Sequence, residues 1–276
     1  FAIEAGKTIL LANKESIVAA GDILMPLADM QDSEIIPVDS EHNALYQCLP
    51  RERNLNEISK ILITASGGPF REKSLIDLKG VSLDDALKHP TWSMGAKITI
   101  DSATLVNKCL ELIEAHYLFN IPESQIEIIV HPQSIIHSMI TFIDGSTIAQ
   151  MSNPSMEVPI SNALGMGTRL PINFKEIDFS ELNLSFEPVA NDRKVIFDMA
   201  REVCNKRGNL GVIFNASNEI AVDAFINQNI DFIDIYEVIQ RTFDCFSCSK
   251  VSTIDEIFEY DKEARIQAEK VIKSLH

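Results

Sequence analysis

The chain has 276 residues, with 24 Lys plus Arg against 40 Asp plus Glu and a formal net charge of −16. That balance argues against nucleic acid as a partner, because phosphate backbones require clustered Lys and Arg. It leaves room for a phosphorylated small molecule, which one Lys and a few N–H groups can hold. With 46% apolar and 23% charged residues the chain carries material for a sizeable core, and its length predicts about two domains. No apolar run approaches the ~18–20 residues of a membrane span, and none of these residues reads as a signal peptide or Arg-rich transit segment.

Phe1 to Gly6 reads as the middle of a helix without a cap, so the chain reads as the later part of something longer. Lys7 to Asn13 is a short apolar run that predicts a buried parallel strand, and Lys14 to Leu27 a helix ended near Pro26. Ile35 to Val38 and Ile61 to Thr64 are two further short strands, and Lys97 to Ile100 reads as a fourth, followed by a helix from about Ser102 through Leu118. From Gln125 the period changes to two. Ile126 to Val130, Ile135 to Ile143 and Ser146 to Met151 read as strands, with Asp144-Gly145 as a hairpin turn. Gly165 to Pro188 has no clear period. From Asn191 the pattern is helical, with Val195, Met199 and Val203 on one face, a capping box at Thr253 to Glu256, and an apolar stripe through Ala264, Ala268, Val271, Ile272 and Leu275.

Five scattered cysteines suit a reducing compartment rather than a disulfide framework. Cys245 and Cys248 have C-x-x-C spacing, but no second pair or nearby His completes a zinc site, and two helix-borne cysteines near a core explain them as well.

Chemistry concentrates where strands end. In an extended stretch Asp39 and Glu41 would point the same way, and two adjacent carboxylates invite a divalent cation, although a solvated acidic turn has the same spacing. Ser66-Gly-Gly-Pro-Phe70 offers a hydroxyl and unobstructed N–H groups suited to a phosphate, or else a plain glycine turn. Asn107, Lys108 and Glu111 share a helix face, and a helix beginning near Ser102 would add an anion site; a surface Lys–Glu pair has the same spacing. His89 to Gly95 reads as a loop bearing the single tryptophan, Trp92, which either covers a ligand or anchors the loop to the core. His131 and His137 read as structural or interface histidines, His116 and His276 carry no signal, and His42 could act from behind the acidic pair.

Leu11 to Ser16, Pro37 to Asn43, Ser66 to Arg71, His89 to Gly95, Asp101 to Thr104 with Asn107, Lys108 and Glu111, and His131 to Ser134 with Ile136 to Ser138 occur in this order. Together they resemble the 1-deoxy-D-xylulose 5-phosphate reductoisomerase family of the non-mevalonate isoprenoid pathway. The resemblance implies isomerisation of that phosphosugar and its NADPH-dependent reduction to 2-C-methyl-D-erythritol 4-phosphate. It implies Mg²⁺ or Mn²⁺ on Asp39, Glu41 and Glu111; phosphate on Ser66, Ser102, Asn107 and Lys108 with His89 close by; and sugar oxygens on Ser40 and Lys14. Trp92 would belong to a lid, and Asn13, Glu15, Met94 and Gly95 would face the nicotinamide nucleotide. The catalytic set would be Lys14, Asp39, Glu41, Glu111, His89 and Trp92.

The implied fold is α/β: the tail of a Rossmann-like NADPH-binding domain (1–38), an α/β catalytic domain with a mixed sheet (39–165), a linker (166–186) and a C-terminal helical domain (187–276). A homodimer through the strands from Gln125 to Met151 is implied too, in a bacterial cytoplasm or a plastid-type organelle, between which the sequence does not decide. None of the eleven glycines falls in a G-x-G-x-x-G turn, so most of the family's dinucleotide-binding domain is expected outside these residues. Two alternatives stay open: a catalytically silent dimerisation or binding module, and a metal-dependent sugar-phosphate isomerase that needs no nicotinamide.

Overall fold

A computed structural model describes residues 1–50, 54–92 and 94–275. Ser93 of the loop motif and His276 lie outside the described residues.

The chain enters through a βαβ unit of β1 (Ile9–Leu11), α1 (Lys14–Met30) and β2 (Ile35–Pro37), whose strands pair in parallel with Ile9 opposite Ile35. The expected helix at Phe1 to Gly6 is instead a turn, closed by Ala5 N donating to Phe1 O (3.0 Å) and Gly6 N donating to Ile3 O (2.9 Å). Gly6 at φ +60° ends the turn. Pro26 does not end α1. It lies inside the helix with its ring exposed, and the backbone departs from helical geometry at Ala20 (φ −132°) instead. At this bend Gly21 meets α5 (Val106–Phe119), where a Cβ would stand 2.6 Å from the Tyr117 ring. Only glycine permits that approach.

Next come α2 (Ser40–Cys48), β3 (Ile58–Ala65), the short α3 (Leu83–Ala86) and α4 (Ala96–Thr104), which precedes α5. The fourth strand expected at Lys97 to Ile100 is thus part of a helix. Its alternating β-branched residues favour a strand locally, but Ile100 and Ala103 are fully buried in the core, one helical turn apart. Thr99 N donates to Gly95 O at 3.1 Å, setting the first turn. No helix therefore starts at Ser102. The break falls at Leu105, held at φ +64° between α4 and α5.

The chain continues through β4 (Ile126–Val130), β5 (Ile136–Phe142), β6 (Thr147–Met151), α6 (Glu157–Leu164) and the short β7 (Glu187–Pro188). These strands and β3 form a five-stranded sheet of order β6-β5-β3-β4-β7, with β3 and β4 parallel and the other pairs antiparallel. This is the expected mixed sheet. The Asp144-Gly145 turn closes the β5–β6 hairpin, Gly145 taking φ +85°.

The remaining helices are α7 (Lys194–Lys206), α8 (Leu210–Ile226), α9 (Asp234–Phe243) and α10 (Ile254–Ser274). The capping box at Thr253 and Glu256 forms as expected, and Ala264, Ala268 and Val271 are buried. Val195 is exposed, however, and the buried stripe of α7 runs through Ile196, Met199 and Val203. Cys245 and Cys248 are exposed and follow α9 rather than lying on a helix; all five cysteines are free. One core cluster joins Ile17 of α1, Ile61 and Ile63 of β3, Leu110 of α5, Phe214 of α8 and Ile239 of α9. At its centre α5 is buried on nearly every side, charged residues included. Buried charges must be paired or hydrogen-bonded, and following their partners leads to the site.

Candidate active site

Four charged or amide side chains of α5 are buried: Asn107, Lys108, Glu111 and Glu114. Glu111 is where the others meet. Its Oε1 accepts from Lys14 Nζ at 3.1 Å and from the Asn107 amide, and its Oε2 accepts from Lys108 Nζ at 2.6 Å. Lys14 is the first residue of α1, fixed there because Asn13 caps the helix by accepting from Ser16 N at 3.0 Å. From that point its ammonium also donates to Asn107 Oδ1 (2.9 Å) and pairs with Asp39. Lys108 pairs in turn with Glu41.

Asp39 and Glu41 are not in extended chain. Asp39 is the N-cap of α2 and Glu41 sits in its first turn, where the helix dipole favours a negative charge. Convergence survives this correction, because carboxylate oxygens of Asp39, Glu41 and Glu111 lie within 4.8 Å of one another. The alternative of a solvated acidic turn is not what the structure has. Two ammoniums stand between three carboxylates and neutralise most of their charge.

Electrostatics follow from this crowding. Burial pushes the Asp39 carboxyl up, but Lys14 and His42 outweigh it and hold it well below the usual carboxylate range. Burial and the neighbouring Glu41 push Glu111 up against the pull of Lys108 and Lys14. Burial alone would lower both lysines, yet the surrounding carboxylates raise each above its ordinary value.

Beside the carboxylates lies a hydroxyl cradle. His89 Nδ1 accepts from Trp92 N at 2.8 Å and from Thr91 N at 3.1 Å, so the ring proton is on Nε2. Nε2 faces Ser66 Oγ at 3.0 Å and Ser102 Oγ at 3.1 Å. Burial and then Lys108 hold His89 below its ordinary value, in keeping with a neutral ring. Ser66 reaches this point at the end of β3 through the Gly67-Gly68 turn, and Ser102 from the last turn of α4 rather than from a helix start.

All of this opens into one cleft of about 310 Å³. The structure brings Lys14, Asp39, Ser40, Glu41, Ser66 and His89 together there with Trp92, Met94, Ser102, Asn107, Lys108 and Glu111. Trp92 is half-buried and touches His137 edge to face, ring centres 6.2 Å apart; it hangs over the cleft and belongs to none of the core clusters. Asn13, Glu15 and Gly95 lie outside the lining. Asn13 is taken up by its cap, Glu15 pairs with Lys97 at 3.2 Å, and Gly95 caps α4 with nothing within 4 Å of an added Cβ.

Sequence reasoning missed Thr64 and Ser134, which also line the cleft, and Glu114 behind it. Ser134 stands at φ +52°, and its signal was the polar residue closing the His131-Pro-Gln turn. Both doubtful histidines are structural in their bonding: His131 Nδ1 meets Ser185 O (2.9 Å) and His137 Nε2 meets Ser152 Oγ (2.9 Å), although His137 also lines the cleft. Among the described residues, no helix is long and apolar enough to cross a membrane.

Two family models match the chain, the 1-deoxy-D-xylulose 5-phosphate reductoisomerase C-terminal domain over residues 35–119 and the DXP reductoisomerase C-terminal domain over residues 151–267. The 1-deoxy-D-xylulose 5-phosphate reductoisomerase of Zymomonas mobilis is 45% identical over 275 residues, 99% of this chain and 71% of that protein. Its counterpart in Chlamydia caviae is 46% identical over 271 residues, again spanning 71% of that protein. Among solved structures, the Zymomonas mobilis enzyme in complex with NADPH superposes with a TM-score of 0.93 at 43% identity, covering 99% of this chain and 71% of that one. A DOX-P reductoisomerase in complex with NADPH, fosmidomycin and magnesium gives 0.91 at 38% identity, covering 99% and 72%. The chain belongs to the 1-deoxy-D-xylulose 5-phosphate reductoisomerase family.

Proposed function

We propose that this chain forms the metal- and substrate-binding part of an enzyme that isomerises 1-deoxy-D-xylulose 5-phosphate and reduces it with NADPH to 2-C-methyl-D-erythritol 4-phosphate. The observation that carries this reading is the convergence of Asp39, Glu41 and Glu111 next to the Ser66–His89–Ser102 cradle in one cleft.

The donor set suits a hard cation. Three carboxylates supply only oxygen, and the Lys14 and Lys108 ammoniums already stand as cations between them. Asp39, Glu41 and Glu111 would hold Mg²⁺ or Mn²⁺. Once bound, the ion supplies Lewis acidity to adjacent substrate oxygens and neutralises the charge that develops on them.

The rest falls to the chain's own side chains. Ser66 and Ser102 present hydroxyls to the phosphate, with His89 Nε2–H between them and the Lys108 charge nearby; Asn107 completes that side. Ser40 and Lys14 face the sugar oxygens. Lys14, with an ammonium held by Asn107 and Glu111, keeps a proton at the carbonyl end of the substrate. Trp92, tied to His89 through its backbone N–H, closes the cleft and excludes water. On the nucleotide side the chain offers Met94 at the cleft edge, the open Gly95 and, through side chains now engaged elsewhere, Asn13 and Glu15. With no glycine-rich pyrophosphate turn among these 276 residues, the bulk of NADPH is left to residues beyond them.

The division into residues 1–38, 39–165, 166–186 and 187–276 goes with this reading. So does a homodimer through the strands from Gln125 to Met151, whose edge strand β6 carries the exposed Ile148. The bacterial relatives favour a bacterial cytoplasm over a plastid-type organelle.

The test is turnover by the protein that carries this chain. NADPH should be consumed only with both the phosphosugar and a divalent ion, and Glu111→Gln should abolish it. Product formed without NADPH would support the nicotinamide-independent isomerase instead. Binding of metal and phosphosugar without turnover would support the silent module.

A further inference from the structure

Two fully buried ionisable groups stand behind the carboxylates and take no part in the steps above: His42 of α2, 0% exposed, and Glu114 of α5, 1% exposed. Neither lines the cleft. The His42 ring touches the cluster through both nitrogens. Nε2 lies 2.8 Å from the main-chain oxygen of Glu111, and a carbonyl can only accept, so Nε2–H donates. Nδ1 faces Glu114 Oε2 at 3.0 Å and Asp39 Oδ1 at 3.9 Å. The Glu114 contact is close without meeting hydrogen-bond geometry, since neither atom has a hydrogen-bond partner. Phe119 stacks near-parallel on the ring, centres 6.3 Å apart, and fixes its plane.

This geometry ties together two residues that must be set against each other. Asp39 caps no backbone N–H of α2 with its side chain, so side chains orient its carboxylate, Lys14 from α1 and His42 from the first turn of α2. Glu111 reaches the cluster from α5. His42 spans the two helices, touching the Asp39 carboxylate and the Glu111 backbone at once, and Glu114 holds it from behind. Acidic and histidine partners of this kind, outside the ligands themselves, orient the ligands of metal sites.

We propose that His42 and Glu114 are a positioning pair that sets Asp39 and Glu111 for the divalent cation. The inference rests on the reading of Asp39, Glu41 and Glu111 as that cation's ligands. Asp39, His42 and Glu114 also bring ligand atoms within 4.8 Å of one another, so the same trio could hold a second ion. The Nδ1–Glu114 contact, closed at 3.0 Å between two residues that do not line the cleft, favours positioning.

Mn²⁺ titration of the chain, followed by electron paramagnetic resonance of the free ion, tests this without any turnover. His42→Gln keeps a donor toward the Glu111 carbonyl, His42→Asn is too short to place one there, and Glu114→Gln is isosteric. Each should weaken Mn²⁺ binding by about tenfold or more, at one ion per chain. His42→Gln combined with Glu114→Gln should be no worse than the worse single variant, because the pair acts as a unit. His116→Gln, which removes a buried histidine bonded to Ile121 O, should leave the affinity unchanged. Should the histidine variants fail to fold, Glu114→Gln alone decides. Unchanged affinity in Glu114→Gln and His42→Gln, with binding lost in Asp39→Asn, overturns the positioning pair and leaves the ligand reading intact. Two ions per wild-type chain, one lost in His42→Gln, overturns it in favour of a second metal site. Unchanged affinity in Asp39→Asn overturns the ligand reading itself.

Discussion

Gly68 lies against the backbone of Ser102: a Cβ on Gly68 would stand 2.9 Å from the Ser102 carbonyl oxygen and 3.0 Å from Ala103 Cα. This contact sets the distance between the two hydroxyls of the cradle, because Ser66 approaches on the Gly67-Gly68 turn and Ser102 on α4. Gly68 also holds φ +66° and donates its N–H to Ser66 Oγ at 3.2 Å. Gly68→Ala should therefore cost stability of about 1–3 kcal/mol through backbone strain and push the serines apart. Thermal melting should fall, and binding of a phosphonate ligand should weaken more than Mn²⁺ binding does. Equal weakening of both would mean that the turn serves the whole site rather than the phosphate.

Glu111 receives Lys14, Lys108 and Asn107 and has no replacement. Glu111→Gln preserves size but removes the charge, so Mn²⁺ affinity measured calorimetrically should drop by at least the roughly tenfold that outer partners of a metal site are worth. Asp144→Asn, on the exposed hairpin turn where the carboxylate accepts only from Ser146, should leave Mn²⁺ affinity unchanged.

Trp92 is the single tryptophan, so its fluorescence reports the loop alone. Adding fosmidomycin with Mg²⁺ should change its intensity or emission maximum as the cleft closes. A flat signal, with binding established calorimetrically, would return Trp92 to the role of a loop anchor.

The same loop should respond to pH. His89 Nδ1 accepts from Thr91 N and Trp92 N only while unprotonated, and burial followed by Lys108 holds the folded value below 6.5. Between that depressed value and 6.5 the unfolded chain binds the extra proton, so stability rises with pH across this window. The tie is fully present above about 6.5 and is lost as pH falls through the depressed value. Trp92 fluorescence should shift over this acidic range, and His89→Gln should remove the shift.

At the sheet edge, β6 carries the exposed Ile148. If this edge joins two chains, Ile148→Lys should convert a dimer to a monomer in sedimentation, since a charge on an edge strand opposes pairing. An unchanged sedimentation coefficient would remove the β6 edge from the interface.

Much of the fold was legible where local and global preferences agree. Asp144-Gly145 marks its hairpin because a two-residue turn needs positive φ, and Thr253 with Glu256 marks a helix start that no tertiary contact contradicts. Lys97 to Ile100 read as a strand because alternating Ile and Thr favour one locally, whereas burial of Ile100 and Ala103 makes them part of a helix. The site was legible as residue types and less so as geometry. Asp39 and Glu41 converge, but through a helix start rather than an extended chain. Glu114 was invisible because three residues past Glu111 on a helix it looks like any surface acid. The approach of His42 from α2, far away in the sequence, gives it a partner.

The central claim is that one cleft joins a divalent-ion site to a phosphate cradle. Calorimetric titration of the chain with fosmidomycin, with and without Mg²⁺, tests it most directly. The account predicts binding that requires the ion and is lost in both Asp39→Asn and Ser102→Ala. Binding of equal strength in the presence of a chelator, or in Asp39→Asn with Mg²⁺ present, would contradict it.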